Sequence, residues 1–304
     1  MKRPSILQFS LFLLVFGIHR ELSAGGWTTP KGTLWLKSAF FYQSTDRRFC
    51  SAQDALSLAF HEAGCTTAGD RAPFDPFSGG ESRAATIFLD AAYGLTDRFE
   101  ISLQLPFYSL QFTNSADPDR PASLSVGDVR IGVKYQFLTK PFAASVKTTL
   151  KAPTGKFTID AEVVNVSEGQ FDYEFLVEAG KSLWPFRGYV NIGAGYRWRG
   201  DNERFEHILG DEFIATAEFG FNVHKNVMLK SAFEWMQGER PKRRVAPDTR
   251  FLWRRELLTV SPTLIVSTSS KTRIEGGVRF TLTGQDFPAG PQFGAGVSHD
   301  FSLR

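Results

Sequence analysis

The sequence predicts an all-β protein: a closed antiparallel transmembrane β-barrel of about 12 strands, with short periplasmic turns and long extracellular loops. Three observations indicate this fold class. Apolar and polar residues alternate along the chain, the alternating segments are long, and the connections between them are alternately short and long. The 304 residues include 29 Phe and 27 Gly, a composition that excludes a disordered chain. A mean hydropathy of -0.18 excludes a bundle of membrane helices.

The N-terminus has the features of a secretory signal peptide over residues 1–24. Lys2 and Arg3 precede a short apolar run, and Ala24 provides a small residue at the expected cleavage site. A single membrane anchor is the alternative, but the run is shorter than the roughly 20 apolar residues of a spanning helix. We therefore expect an exported barrel domain over residues 25–304. Without the signal peptide the formal net charge falls from +3 to +1, which argues against nucleic acid as a partner.

The strands are predicted from a period of two, because successive side chains of a β-strand point to opposite faces. From Phe99 onward, one parity reads Phe, Ile, Leu, Leu and Phe, while the other begins Glu, Ser and Gln. The repeated pattern predicts strands of about 9 to 12 residues, long enough to cross a bilayer with tilt. In chain order the predicted strands lie at 33–43, 82–93, 99–107, 129–137, 142–152, 171–177, 190–198, 212–221, 227–235, 255–266, 274–282 and 293–301.

The connections between these strands predict which end of the barrel faces outward. The short ones lie at 94–98, 138–141, 182–186, 222–226 and 267–271, and the long ones at 44–81, 112–126, 153–169, 199–211, 237–251 and 284–292. Outer-membrane barrels have short turns in the periplasm and long loops outside. A soluble sandwich or a lipocalin-type barrel also alternates and is the alternative fold. The strand length, the unequal connections and the signal peptide favour the membrane barrel.

The two faces of the predicted barrel differ in chemistry. Aromatic residues near strand ends are candidates for the girdles at the lipid headgroups: Tyr42, Tyr93, Phe107, Tyr135, Tyr196, Trp198 and Trp235. Ionised side chains cannot face hydrocarbon, so the opposite parity is expected to line a wet or internally paired lumen. Beyond the constriction candidates below, these lumen residues are Glu100, Gln104, Asp128, Glu218, Lys230, Glu234, Arg273, Glu275 and Arg279.

Four neighbouring strands concentrate charge and provide the candidate constriction of the lumen. Two adjacent strands carry cations and the next carries carboxylates. With a further arginine, the candidates are Arg130, Lys134, Lys147, Lys151, Asp172, Glu174, Glu178 and Arg197. One interpretation is a polarised constriction that orients passing solutes. The favoured interpretation is cross-strand ion pairing that makes the barrel wall rigid, because neighbouring strands pair locally.

Cys50 and Cys65 are the two cysteines of the chain, and in an exported protein they predict one disulfide. Closing a loop of about 15 residues stabilises the fold by roughly 3 kcal/mol in the chain-entropy model. Metal binding with His61 is the alternative, but ordinary zinc spacing is not found, and we expect no metal site. Between the cysteines, residues 51–60 have helical spacing. That helix would either narrow the mouth of the barrel or pack on its outer rim.

Catalysis and cofactors are not expected. Barrel enzymes use His with Ser or Asp. The strand neighbours of His299 point to the other face, and His207 lies in a predicted outer loop. No phosphate loop, nucleotide fingerprint or haem signature is present, so no cofactor is predicted.

Several strings along the chain resemble those of one known family. They are Tyr-Gly-Leu-Thr-Asp-Arg at 93–98, Leu-Pro-Phe at 105–107, Gly-Asp-Val-Arg-Ile-Gly-Val-Lys-Tyr at 127–135, Lys-Ala-Pro-Thr-Gly at 151–155, Gly-Gln-Phe-Asp at 169–172, Glu-Ala-Gly-Lys-Ser at 178–182 and Gly-Tyr-Arg-Trp-Arg at 195–199. In this order the chain resembles the outer-membrane β-barrel transporter family named after the meta pathway of phenol degradation. The resemblance implies passage of small, often apolar or aromatic compounds, and it brings no settled binding residues. One departure is that Phe301 is followed by three further residues, where such barrels commonly end in an aromatic that assembly machinery reads.

The predicted function is therefore an outer-membrane channel for passive uptake or efflux of small organic molecules in a Gram-negative-type bacterium. The expected partners are outer-membrane lipid, small organic solutes and the barrel assembly machinery. A structural or adhesive barrel with a sealed lumen is the first alternative. A barrel enzyme acting on lipid is the second.

Overall fold

The computed structural model describes residues 25–50, 73–74, 80–113, 122–156, 166–201, 210–239, 255–285 and 287–303. The predicted signal peptide and the predicted helix at 51–60 lie outside the described residues, as do His61, Cys65 and His207. The expectations that depend on them stay predictions.

The described residues form fifteen strands, of which twelve are long. In chain order they are β1 (Thr33–Thr45), β2 (Arg48–Phe49), β3 (Pro73–Phe74), β4 (Ser82–Gly94), β5 (Phe99–Phe112), β6 (Ser123–Val126), β7 (Val129–Leu138), β8 (Ala143–Ala152), β9 (Asp172–Ser182), β10 (Gly188–Arg199), β11 (Glu212–His224), β12 (Val227–Gly238), β13 (Glu256–Ser267), β14 (Thr272–Gln285) and β15 (Pro291–Ser302). The short strands β2 and β3 pair with each other, and β6 pairs with β5.

The twelve long strands form a closed barrel, because the first strand has a partner on each side. β1 pairs antiparallel with β15 on one side and with β4 on the other, and every later long strand pairs with the next. Closure leaves no exposed sheet edge, as a spanning sheet requires. The predicted twelve-stranded antiparallel barrel is confirmed. Within the described residues, no helix has the length and apolar character needed to cross a membrane.

The connections differ in length between the two ends of the barrel. One end, here called the turn end, carries the short turns at 95–98, 139–142, 183–187, 225–226 and 268–271. The other end, the loop end, carries the long connections. Some strands extend beyond their predicted limits. β11 runs to His224 because Asn222 and His224 still pair with β12 across an irregular register.

The outer face of the barrel carries a belt of exposed apolar side chains. In β5, Phe99 and Ile101 are 42% and 40% exposed, whereas Glu100 between them is fully buried. The same parity exposes Leu36, Phe40, Ile87, Leu89, Ile131, Val133, Phe175, Val177, Phe219, Phe233, Leu264, Ile274, Phe280, Phe293 and Val297. A soluble barrel would bury these side chains, and an apolar surface of this extent indicates contact with lipid. The outward orientation of these apolar side chains excludes the soluble sandwich and the lipocalin-type barrel.

The candidate girdle aromatics lie on this outer face, and several contact one another. Tyr135 stacks on Phe99 with 4.6 Å between ring centroids, near the turn end. Tyr196 meets Trp198 and Phe213 edge to face near the loop end, at 5.0 and 4.8 Å. Such aromatic pairs place amphipathic rings where headgroups meet acyl chains.

Part of the inner face is apolar, which the parity argument did not predict. Ala84, Phe88, Tyr108, Leu110, Phe112 and Val166 form a buried cluster toward the loop end, here called the inner apolar cluster. The reason lies in β5, where the inward parity is polar at Glu100 and Gln104 but becomes apolar after Pro106. A second cluster joins Ile214, Met236, Leu257 and Phe287. Both clusters fill part of the lumen with side chains.

Candidate functional site

The inner wall of the barrel is the candidate functional site, because it gathers buried charged side chains from most strands. These include Lys37, Asp90, Glu100, Lys134, Lys147, Lys151, Asp172, Glu174, Arg197, Arg199, Glu212 and Lys230. The period of two places them opposite the lipid-facing parity. Their arrangement defines three parts: an N-terminal segment, a chamber toward the turn end, and a charge cluster at the loop end.

The N-terminal segment, residues 25–32, lies inside the turn end of the barrel. Lys134 Nζ donates a hydrogen bond of 2.8 Å to the Gly25 carbonyl, and the Thr29 N–H donates to Glu100 Oε2 at 2.7 Å. Gly26 lies so close to β8 that a Cβ at this position would be 2.4 Å from the Ala143 carbonyl oxygen. Only glycine permits this approach. The segment is therefore fixed to the wall by charged side chains and by backbone contact.

Beside this segment lies a chamber of about 770 Å³. Aromatic surface comes from Trp27, Trp35 and Tyr189, and Trp27 meets Tyr189 edge to face at 6.3 Å. The Tyr189 hydroxyl donates to Glu218 Oε1 at 2.8 Å, which holds the ring against the wall. Charged residues on the lining are Lys147, Glu178, Glu218, Lys230, Glu234, Arg273, Glu275 and Asp300. The chamber thus offers rings and charges of both signs.

Most of the charges that line the chamber are in ion pairs. Glu178 pairs with Lys134 at 3.0 Å, Asp300 with Arg273 at 3.0 Å, and Glu234 with Arg279 at 2.9 Å. The separation is 3.6 Å for Lys230 and Glu218, and Lys37 also pairs with Glu275. Pairing in a confined space reduces the cost of removing these groups from bulk water. The chamber therefore presents dipolar pairs and not a single strong charge.

The second concentration of charge lies at the loop end, where strands begin or finish. This loop-end cluster contains Asp128, Lys151, Glu168, Asp172, Glu174, Arg197, Arg199, Glu212 and Arg255, all at most 8% exposed. Lys151 Nζ lies 3.1 Å from Asp128, 3.0 Å from Glu168 and 2.9 Å from Asp172. The four cations and five carboxylates form one continuous network, in which removal of one partner leaves buried charges unpaired.

Arginines link the strands of this cluster. Arg197 on β10 bridges Glu174 on β9, at 2.9 Å, and Glu212 on β11. Arg199 bonds Glu212 at 2.7 Å and also Glu168, and Arg255 reaches Glu168 at 3.1 Å. Because a guanidinium presents several donors in one plane, each arginine contacts carboxylates from separate segments of the chain.

One part of the cluster is not a wall strand. Residues 166–170, here called the strap, precede β9 and lie inside the barrel with Val166, Ser167, Glu168 and Gln170 buried. Val166 belongs to the inner apolar cluster, and the Ser167 hydroxyl donates to Asp128 Oδ1. Gly169, with φ +70°, allows the backbone to turn immediately after the buried carboxylate. The strap is thus held inside the loop end by its side chains.

The carboxylate of Glu168 is ionised in this setting. Burial by itself would raise its pKa, but the neighbouring Arg199, Lys151 and Arg255 outweigh burial and hold the pKa well below its ordinary value of 4.5. The network therefore keeps a full negative charge on the strap at neutral pH.

All eight constriction candidates from the sequence lie on the inward parity, but they do not form one site. Lys134 and Glu178 pair beside the chamber, whereas Lys151, Asp172, Glu174 and Arg197 belong to the loop-end cluster. Lys147 lines the chamber. Their role in selecting solutes stays a prediction.

Two predicted cations lie directly opposite two others in the strand register. Arg130 faces Lys151, and Lys134 faces Lys147. Opposed like charges destabilise a sheet unless carboxylates intervene. Lys151 and Lys134 have such carboxylate partners, while Arg130 makes no ion pair with any described residue.

Seven of the charged inner-wall residues named above were not predicted from the sequence: Lys37, Asp90, Glu168, Arg199, Glu212, Arg255 and Asp300. Arg199 shares the inward parity of Arg197, and Glu212 opens a predicted strand, so an extended parity argument would have found both. Glu168 lies in a connection, where no period indicates direction, and Arg255 immediately precedes β13.

The remaining candidates contribute less to the lumen. Cys50 is 1% exposed, and its predicted partner Cys65 lies outside the described residues, so the disulfide stays a prediction. His299 Nδ1 lies 2.8 Å from Thr272 Oγ1, and its neighbour Asp300 pairs with Arg273 on the other face. Among the described residues, no group of three His, Cys, Asp or Glu side chains is placed to hold a metal ion.

These features define a class of protein: a β-barrel of the outer-membrane type, with an apolar belt outside and a charged, chambered lumen. The chain belongs to the family described as MetA-pathway of phenol degradation, whose model matches residues 80–299. The family predicted from the sequence strings is confirmed. No curated protein matches the sequence.

Several solved structures are similar to this chain. An outer membrane channel from Pseudomonas putida F1 is similar with a TM-score of 0.70 and 16% identity, over 90% of this chain and 97% of that chain. The KdgM porin gives a TM-score of 0.47 at 8% identity, over 87% and 99% of the two chains. The CymD monoaromatic hydrocarbon channel gives 0.45 at 9% identity, over 90% of each. At 16% identity, the similarity to the Pseudomonas putida F1 channel establishes the barrel fold and nothing more.

Proposed function

We propose that this protein is an outer-membrane channel for the passive passage of small organic molecules. The observation that carries the proposal is the chamber of about 770 Å³ inside a closed, lipid-facing barrel. Binding cavities for small molecules typically measure roughly 300 to 1,000 Å³. A small barrel whose interior were entirely packed with side chains would leave no such volume.

The lining of the chamber suggests solutes that combine a ring with a polar group. Trp27, Trp35 and Tyr189 supply aromatic surface, while Lys147 and Glu218 supply charges of opposite sign. Rings favour edge-to-face or offset contacts with such aromatics, worth about 0.5–1.5 kcal/mol beyond their buried area. Because passage is passive, its direction follows the solute gradient, and the same channel serves uptake or efflux.

Liposome swelling tests the proposal directly. Vesicles containing the folded barrel are placed in isotonic arabinose, leucine or phenylalanine, and the swelling rates are compared with those of protein-free vesicles. We expect swelling with each solute, and a higher phenylalanine-to-leucine ratio than free diffusion gives. A heat-modifiable, correctly inserted barrel that causes no swelling with any of the three solutes would overturn the proposal.

A sealed structural or adhesive barrel is the second candidate, and one observation favours it. The loop-end cluster joins β8, β9, β10 and β11 through buried ion pairs, which narrows the lumen on that side. The same swelling experiment separates the two functions, since a sealed barrel excludes every solute. We further propose that the protein is not an enzyme, because the histidine in β15 bonds a threonine hydroxyl and no carboxylate.

A further inference from the structure

We propose that Glu168 determines the width of the lumen at the loop end, by holding the strap inside the barrel. This inference rests on the channel function proposed above. It concerns a single carboxylate that belongs to a connection and not to a wall strand. Three cations from separate parts of the wall converge on it.

The anchors of the strap lie on different sides of the barrel. Val166 packs in the inner apolar cluster, with side chains from β4 and β5. Two residues later, Glu168 contacts Lys151 from β8, Arg199 from β10 and Arg255 beside β13. Side chains from such separated strands meet only in the interior of the barrel. The strap therefore occupies lumen space that a solute would otherwise use.

The strap and the wall are stabilised in different ways. Wall strands are joined by continuous main-chain ladders, such as the one between β9 and β10. The strap is fixed by the ion pairs of Glu168, the Ser167 hydrogen bond to Asp128 and the packing of Val166. Removing the charge of Glu168 thus weakens the strap while the ladders of the wall stay intact.

Loss of this carboxylate also leaves the converging cations without their common partner. Lys151 and Arg199 still have Asp172, and Arg255 still has Glu212 at 3.5 Å, but their charges would repel one another across the position of Glu168. Repulsion between like charges disfavours a closed arrangement. Neutralisation should therefore displace the strap and enlarge the opening.

The test compares two buried carboxylates of the same cluster. Glu168→Gln removes the charge of the strap, whereas Glu212→Gln removes a charge that contacts Arg197, Arg199 and Arg255 but belongs to wall strand β11. Single-channel conductance in planar bilayers is measured for both variants and for the unmodified chain. We expect the conductance of Glu168→Gln to rise at least twofold and that of Glu212→Gln to change less. In the liposome assay, Glu168→Gln alone should cause swelling with larger sugars.

The outcomes separate this inference from the proposed function. An unmodified chain that neither conducts nor causes swelling overturns the channel itself. If the unmodified chain conducts and the conductance of Glu168→Gln is the same, the role of the strap is overturned and the channel stands. The same holds if the conductance of both variants rises equally. Should Glu168→Gln give no heat-modifiable barrel, Arg255→Gln replaces it. This variant removes the contact of the strap near β13, and it must raise the conductance for the inference to hold.

Discussion

Replacing Lys151 with Met removes the cation that contacts three buried carboxylates. Two of them keep a partner, because Arg199 also pairs with Asp172 and Glu168. Asp128 has no such substitute: its Oδ2 lies 3.1 Å from Lys151 Nζ and is otherwise buried without a hydrogen-bond partner. Breaking a buried pair on one side typically costs about 3–5 kcal/mol. Because one carboxylate and not three is left without a cation, we expect the free energy of unfolding to fall by an amount near the lower limit, about 3 kcal/mol.

Urea unfolding of the barrel in lipid vesicles, followed by tryptophan fluorescence, measures this loss. Lys156→Met is the matched control, since this exposed lysine lies five residues after Lys151, in the connection that follows β8. Its free energy of unfolding should change by less than about 0.5 kcal/mol. A loss below about 1 kcal/mol for Lys151→Met would refute the reasoning, because the carboxylates would then be hydrated and not buried as described.

Three further predictions concern the width and the charge of the lumen. In Gly220→Ala the new Cβ would lie 2.2 Å from the Tyr189 ring and push the ring into the chamber. The single-channel conductance should therefore fall, and the free energy of unfolding should drop by about 1–3 kcal/mol. Gly276→Ala is the control: its Cβ would lie 3.9 Å from the Gly294 carbonyl oxygen, so this variant should match the unmodified chain. Neutralising Lys147 and Lys151 to Gln should shift the reversal potential toward cation preference, and unchanged selectivity would leave both lysines a structural role only. Because the lowered pKa of Glu168 means that its stabilising charge is lost only well below pH 4.5, conductance should stay constant from about pH 8 to 5, and a step in that range would contradict the pairing.

The barrel itself could be predicted from the sequence because lipid and water impose opposite demands on alternate residues. In β7, for example, Ile131 and Val133 face lipid while Arg130 and Lys134 face inward, as the period of two requires. Turn positions followed from the same pattern, since alternation stops where the chain leaves the sheet. Closure was also predictable, because an open edge is untenable in hydrocarbon.

The contents of the lumen were predicted less completely, for physical reasons. Glu168 and Val166 belong to a connection, and no periodicity tells whether a loop lies outside a barrel or folds into it. The inner apolar cluster was missed because apolar residues such as Phe112 were expected to face lipid, whereas here they pack against one another inside the barrel. Ion pairing on the inner wall was predicted in kind, but the division between a chamber and a loop-end cluster depends on tertiary contacts.

The course of residues 25–32 has a practical consequence for handling the protein. The Gly25 carbonyl accepts a hydrogen bond from Lys134 inside the barrel, and a Cβ at Gly25 would overlap the side chain of Asn191. An affinity tag fused immediately before Gly25 would therefore begin inside the turn end of the barrel. Extra residues there would take up lumen space, so conductance is best recorded on a chain that carries no tag at this end.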